Sequence, residues 1–219
     1  MTEPDVAITD FLLGILCLVF ARRLGRLRGA RSASSAAWIV FFAGTSVAAA
    51  SGGVFHGFFA HDSTFAAQAL WTTTMLTAGC VIAASWVLFG SRMTSALSAR
   101  QWAVASSGVL FTYSGIILFV SQEFWVTVVA EGLPLVGLLG SALLRFFRNG
   151  ARPDAFLAAG IALSLLSGAL QVLRVAIDRD YFDHNSTFHL AQAAAISLMY
   201  VSAYAEGAVK HESRLGDFL

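Results

Sequence analysis

Charge is what this sequence has least of. Asp, Glu, Lys and Arg make up 12% of its 219 residues, about half the ~25% of a soluble domain, and they nearly cancel, to a formal net charge of +1. With so little surplus positive charge there is no basic face or tail for phosphates, which excludes nucleic acid as a partner. Cysteine is limited to Cys17 and Cys80, both inside apolar runs where a thiol behaves as a small hydrophobe, so no disulfide framework is implied. A basic leader is missing too. Glu3 and Asp5 precede the first apolar run and arginines follow it, so that run is expected to remain in the mature chain and not to be cleaved as a signal peptide.

What is there is apolar. Hydrophobic residues make up 57% of the chain and the mean hydropathy is +0.71, values that belong in a bilayer. A hydrocarbon core of ~30 Å needs about 20 apolar residues per helix. Seven such segments are expected, at Val6–Leu24, Ala36–Ala60, Thr64–Phe89, Gln101–Val120, Phe124–Leu144, Ala155–Ile177 and Ser186–Ala208. The connections are short, so the expected fold is all-α: one seven-helix transmembrane domain over residues 1–219.

Arginine sets the expected orientation. Arg22, Arg23, Arg26, Arg28 and Arg31 fill the first connection, Arg92 and Arg100 the third, Arg145, Arg148 and Arg152 the fifth, and Lys210 and Arg214 the tail. The alternate connections, around His61, Gln122 and Arg179, are nearly free of basic residues. The positive-inside rule then puts the N-terminus outside and the C-terminus in the cytoplasm of a cell membrane, read as a bacterial inner membrane. Trp38, Trp86 and Trp102 are expected at the inner interface and Trp125 at the outer, whereas Trp71 is expected to pack inside. Small residues such as Gly52 and Gly53 suit close helix approach in lipid.

Against this background the polar residues stand out. Asp10, His56, Gln68, Glu131, Arg174 and His189 fall one to two turns from the outer ends of six different segments. Ionisable groups at such depth are costly unless they face the bundle and pair, so they mark a shared functional site near the outer face. Bland readings apply as well. Asp10 suits a helix N-terminus, Arg174 and Asp178 are spaced to pair with each other, and Gln68, Gln171 and Gln192 suit hydrogen bonds between helices.

Histidine carries the most specific chemistry. Four of the five histidines lie in Ser51–Asp62 and Tyr181–Gln192. His56 and His189 each follow a Phe at matched depth, and neutral imidazole is a common zinc ligand. A zinc site on His56 and His189 is expected. The third ligand is left open among His184, Asn185 and Asp62, since His184 lies five residues before His189 and helical neighbours are three and four apart. Asp183, Asn185 or Ser186 is expected to cap the last helix.

Seven segments, an external N-terminus, Phe-His late in the second and Phe-His early in the seventh resemble the superfamily of alkaline ceramidases and adiponectin receptors. These are seven-helix membrane hydrolases whose zinc is held by three histidines. The family's serine four residues before the second-helix histidine is Gly52 here, with Ser51 one step off. The first position of its His-x-x-x-His is Asn185, with His184 one step off. Its third-helix aspartate is absent, and only Asp62 precedes that helix.

The resemblance implies zinc on His56, His189 and His184, a metal-polarised water, Ser51 or Ser46 near an oxyanion, and hydrolysis of a lipid amide or ester. Asp62 is the residue nearest the missing aspartate in sequence, and Glu131 is a candidate general acid in its place. Membrane lipid would be substrate or ligand. The alternative is a non-enzymatic transporter, proton pathway or receptor built on the His/Glu/Arg cluster. A haem on His56 and His189 suits the acidic surroundings less well than a hard divalent metal. A retinal pigment is excluded, because the single lysine, Lys210, lies beyond the last segment.

Overall fold

In the computed structural model, which describes residues 1–27, 32–93, 99–178 and 182–216, the chain forms seven α-helices. They are α1 (Pro4–Arg26), α2 (Ala33–Phe58), α3 (Phe65–Arg92), α4 (Ala99–Phe119), α5 (Phe124–Asn149), α6 (Arg152–Val172) and α7 (His184–Gly216). Arg28, Arg31 and Arg179, and the side chains of Lys210, His211 and Arg214, lie outside the described residues. The starts of α2, α3 and α7 are fixed by side chains that accept from otherwise orphaned backbone N–H groups. Ser32 accepts from Ser35 N at 3.2 Å, Thr64 from Ala67 N at 3.3 Å and Asp183 from Ser186 N at 2.9 Å. Helix α5 stops at Gly150, whose φ of 63° is a left-handed turn that glycine adopts without strain.

Six helices form a ring in the order α1, α2, α3, α5, α6, α7, with α7 packed back against α1. Helix α4 stands outside the ring against α3. Its aromatic side chains settle over two glycines of α3: Tyr113 lies where a side chain at Gly79 would be, and Trp102 where one at Gly90 would be. On the opposite side of the ring, a Cβ at Gly160 of α6 would come within 2.7 Å of the Ala195 carbonyl of α7, so only glycine permits that approach.

Helices α1 to α6 are each long and apolar enough to cross a membrane. Large apolar side chains such as Ile8, Leu12, Ile15, Phe111, Phe119, Leu133 and Val136 are exposed on their outer faces. That exposure is expected where the solvent is lipid. Helix α7 spans 33 residues but is diluted by His189, Gln192, Ser202 and Glu206. Ala195, Ile196, Met199 and Ser202 are completely buried, because α7 turns its polarity toward the protein interior.

Several helix ends differ from expectation, with consequences for charge. Helix α3 runs on to Arg92 and α6 starts at Arg152, so Arg92 and Asp154, expected in connections, are helical and buried. Arg92 donates to Asp154 at 2.6 Å and also to Glu206 of α7, and Arg145 of α5 approaches Asp154 at 3.4 Å. Helix α6 ends at Val172, five residues early, and Arg174 has a left-handed φ of 54° beyond it. Arg174 is exposed and lies beyond the end of α6. Trp38, expected as an interfacial anchor, is 2% exposed and packs on Phe41 and Phe42. Trp125 is exposed as expected, and Trp71 packs on Phe55 while donating to the Gln122 carbonyl at 3.0 Å.

Candidate functional site

The N-terminal end of the ring is sewn together by α1. Asp5 and Thr9, four apart, share a face of this helix, and Asp10 follows beside Thr9. They meet Asp183, Ser186 and His189, spaced by three along the start of α7. Asp5 Oδ2 accepts from Ser186 Oγ at 2.7 Å, Thr9 Oγ1 lies 3.2 Å from His189 Nδ1, and His189 Nε2 lies 3.2 Å from Asp10 Oδ1. The Asp10 side chain is 5% exposed and that of His189 11%. Space for the Asp10 carboxylate comes from Gly52 of α2, where a Cβ would stand 3.1 Å from Asp10 Oδ2. The neighbouring residue, Ser51, faces α3 instead and pairs with Thr74 Oγ1 at 2.9 Å.

Two arrangements that differ by one bound proton satisfy the Thr9–His189–Asp10 chain. If Thr9 donates to Nδ1, then Nε2–H donates to the Asp10 carboxylate. If Thr9 donates to the Asp5 or Val6 carbonyl, both at 2.9 Å, Nδ1–H donates to Thr9 and the proton between Nε2 and Asp10 rests on Asp10. The pair can thus take up or release one proton without rearranging a heavy atom.

Asp10 and His189 border a cavity of about 180 Å³ that is walled by all six ring helices and reaches the middle of the bundle. Most of its lining is apolar, including Phe124 and Phe188, whose rings meet edge to face at 5.5 Å. Polar atoms come from Asp10, His189, Glu131, Gln192 and a few hydroxyls, and no Arg or Lys among the described residues lines it. Glu131 Oε1 accepts from Ser85 Oγ of α3 at 2.7 Å, while Glu131 Oε2 is buried with no partner among the described residues. Gln192 accepts from Ser167 at 2.8 Å.

Of the six residues expected at a common depth, the structure brings Asp10, Glu131 and His189 to the cavity. His56 stands nearby but outside the lining, its Nδ1 bonded to Glu3 Oε2 at 2.5 Å and its ring beside Trp71. Gln68 is exposed and Arg174 lies beyond its helix. Gln171 reaches Asn185 at 2.5 Å, so Gln171 and Gln192 join α6 to α7, whereas Gln68 makes no side-chain hydrogen bond among the described residues. Asp62 and His61 are exposed in the turn after α2, and Ser46 donates to the Gly14 carbonyl at 2.8 Å.

Zinc requires three or four donors converging on one point. Among the described residues no three His, Cys, Asp or Glu side chains do so. Helix α7 starts at His184, which puts that residue and His189 on different faces, and His184 lies 3.6 Å from Asp183, the helix cap. Both ring nitrogens of His189 are engaged. As arranged, the three histidines do not fit a three-ligand zinc centre.

Thr9, Asp5 and Ser85 were not singled out from sequence. The four-residue step from Asp5 to Thr9, opposite the three-residue step from Ser186 to His189, is the signal that would have found the first two. Ser85 is one of many serines in apolar runs, and nothing in sequence marks it.

Residues 6–207 match a family of unknown function, DUF6962, and the chain belongs to that family. No curated protein and no solved structure matches it.

Proposed function

We propose that this member of the family crosses the membrane seven times, N-terminus outside and C-terminus cytoplasmic, and binds the polar end of an amphipathic molecule in the cavity between its ring helices. The ligand class is a long-chain amine or amide. The orientation rests on arginine, since Arg22, Arg23, Arg26, Arg92, Arg100, Arg145, Arg148 and Arg152 all fall at the same end of the bundle.

The observation that carries the reading is Glu131 Oε2, a buried acceptor without a partner among the described residues, in a cavity shared with Asp10 and His189. A buried acceptor left unmade costs about 1–3 kcal/mol, a cost that a ligand N–H would remove. Two carboxyl groups with no Arg or Lys among the described lining residues select for a donor, or a cation, over a carboxylate or phosphate. The apolar wall and the flanking phenylalanines suit a hydrocarbon tail. Binding, as in a receptor or transporter, is favoured over zinc-dependent hydrolysis of a lipid amide or ester, because His189 keeps no free ring nitrogen for a metal or a reacting group.

The test is thermal stabilisation of the purified protein in detergent by a long-chain primary amine, the amide of the same chain length and the matching fatty acid. Amine and amide are expected to raise the melting temperature and the fatty acid to leave it unchanged. Equal stabilisation by all three would remove the reading. Zinc is measured on the same preparation. About one zinc per chain, together with chelator-sensitive release of fatty acid from a lipid amide or ester, would replace binding by hydrolysis.

A further inference from the structure

We propose a second ligand site, at the arginine end of the bundle, where the groove between α1 and α7 holds the phosphate headgroup of an anionic membrane phospholipid. The groove has a volume of about 550 Å³ and is bounded by Arg23, Arg26 and Leu27 of α1 and Tyr200, Val201 and Tyr204 of α7. Arg23 and Arg26 are three residues apart and share one face of the helix. Neither has an acidic partner among the described residues. Glu206, two residues beyond Tyr204, is already taken by Arg92 and does not neutralise them.

The walls are preformed. Phe20 stacks on Tyr200 with centroids 4.0 Å apart and planes 4° apart, and Tyr204 follows at 5.8 Å from Tyr200. This fixes the tyrosine rings beside the guanidinium groups. The hydroxyls of Tyr200 and Tyr204 make no hydrogen bond among the described residues, so both remain free to donate. Leu27 closes the end of the groove, since a Cβ at Gly207 would lie 2.8 Å from its Cδ1.

Two guanidinium groups and two phenolic hydroxyls make a donor set for phosphate, and arginine can bind phosphate through two parallel hydrogen bonds. The lipid origin of the phosphate follows from what leads up to it. Ile8, Leu12, Ile15 and Val19 are 53%, 62%, 62% and 40% exposed. Their three- and four-residue spacing continues to Arg23, giving an apolar stripe along which an acyl chain can lie. Basic pockets between helices at a membrane surface are suited to such headgroups.

The experiment is native mass spectrometry of the full chain from mild detergent, with equal amounts of phosphatidylglycerol and phosphatidylcholine of the same acyl composition. One phosphatidylglycerol is expected to be retained in preference, and Arg23→Gln/Arg26→Gln is expected to reduce that preference at least about tenfold. Arg22→Gln, exposed and outside the groove, is expected to leave it intact. Tyr204→Phe keeps both arginines and the ring, and is expected to weaken retention by a smaller factor, which keeps the proposal testable if the double variant fails to fold. Equal retention of the two lipids, or wild-type preference in both the double and the Tyr204 variants, would overturn it. Displacement of the lipid by millimolar inorganic phosphate would reassign the site to free phosphate and overturn the lipid assignment.

Discussion

At the arginine end of the ring, Arg92 of α3 is met by Asp154 of α6 at 2.6 Å and by Glu206 of α7, with the Arg92 and Asp154 side chains only 5% and 4% exposed. At the other end Glu131 is met by one serine, and its second oxygen by nothing among the described residues, beside a cavity. Both ends bury ionisable groups, but only the first matches each charge with opposite charge. A buried ion whose partners are all protein ties helices together and leaves no capacity for anything else. A buried carboxylate with an unused acceptor next to empty space is where a ligand gains most. The difference separates a structural cluster from a candidate binding site without any appeal to resemblance.

The sharpest way to break this comparison is to remove the central cation. Arg92→Ala leaves buried Asp154 with only Arg145 at 3.4 Å and takes the cation from Glu206, a loss expected toward the lower end of about 3–5 kcal/mol. It should appear as a large drop in melting temperature in detergent, or as failure to accumulate. A variant that melts like the wild type would show that the cluster carries no structural load.

The corresponding change at the other end is expected to act on binding rather than on stability. Glu131→Gln retains an acceptor for Ser85, so stability should change by no more than about 1 kcal/mol. Replacing the Oε2 acceptor by an amide N–H should weaken amine binding about tenfold or more, in line with the roughly 1.5–3 kcal/mol of a hydrogen bond to a charged ammonium. Titration of amine against wild type and variant measures it. A large stability loss with unchanged affinity would reverse the roles of the two ends.

The smallest effects are expected at residues that resemblance picked out and the ring does not bring to the cavity. Ser51→Ala removes a hydroxyl shared between α2 and α3, and Asp62→Asn changes an exposed turn. Asp62→Asn should stay within about 0.5 kcal/mol in stability, and neither variant should alter ligand affinity. A marked loss of ligand binding in either one would favour the ceramidase-like arrangement over the one described above.

The helices were legible because runs of about twenty apolar residues have few alternatives in lipid, where every backbone group must be bonded within the segment. Their ends were less legible, since caps and charges at a membrane boundary read equally well as helix or connection. That uncertainty hid the arginine cluster: Phe89 and Ala155 as expected helix limits left Arg92 and Asp154 in connections, and Ile177 as a limit drew Arg174 into a layer it does not join. At the site, residue type and depth found Asp10, Glu131 and His189. Their partners Thr9 and Ser85 are hydroxyls of a kind scattered through the chain, and which ones face a carboxylate or an imidazole depends on helix rotation.

By itself the sequence determined the apolar, all-helical character of this protein and the number of its helices, because these follow from local hydropathy and length. Tertiary structure decided the rest. Ring order and helix rotation turned Gly52 rather than Ser51 toward Asp10, gave both nitrogens of His189 to α1, sent His56 to Glu3, and left Glu131 with a free oxygen over empty space. A difference of one residue in a helix turns a side chain by about 100°. The choice between metal ligand and hydrogen-bonded pair was therefore made by packing, which a linear pattern does not encode.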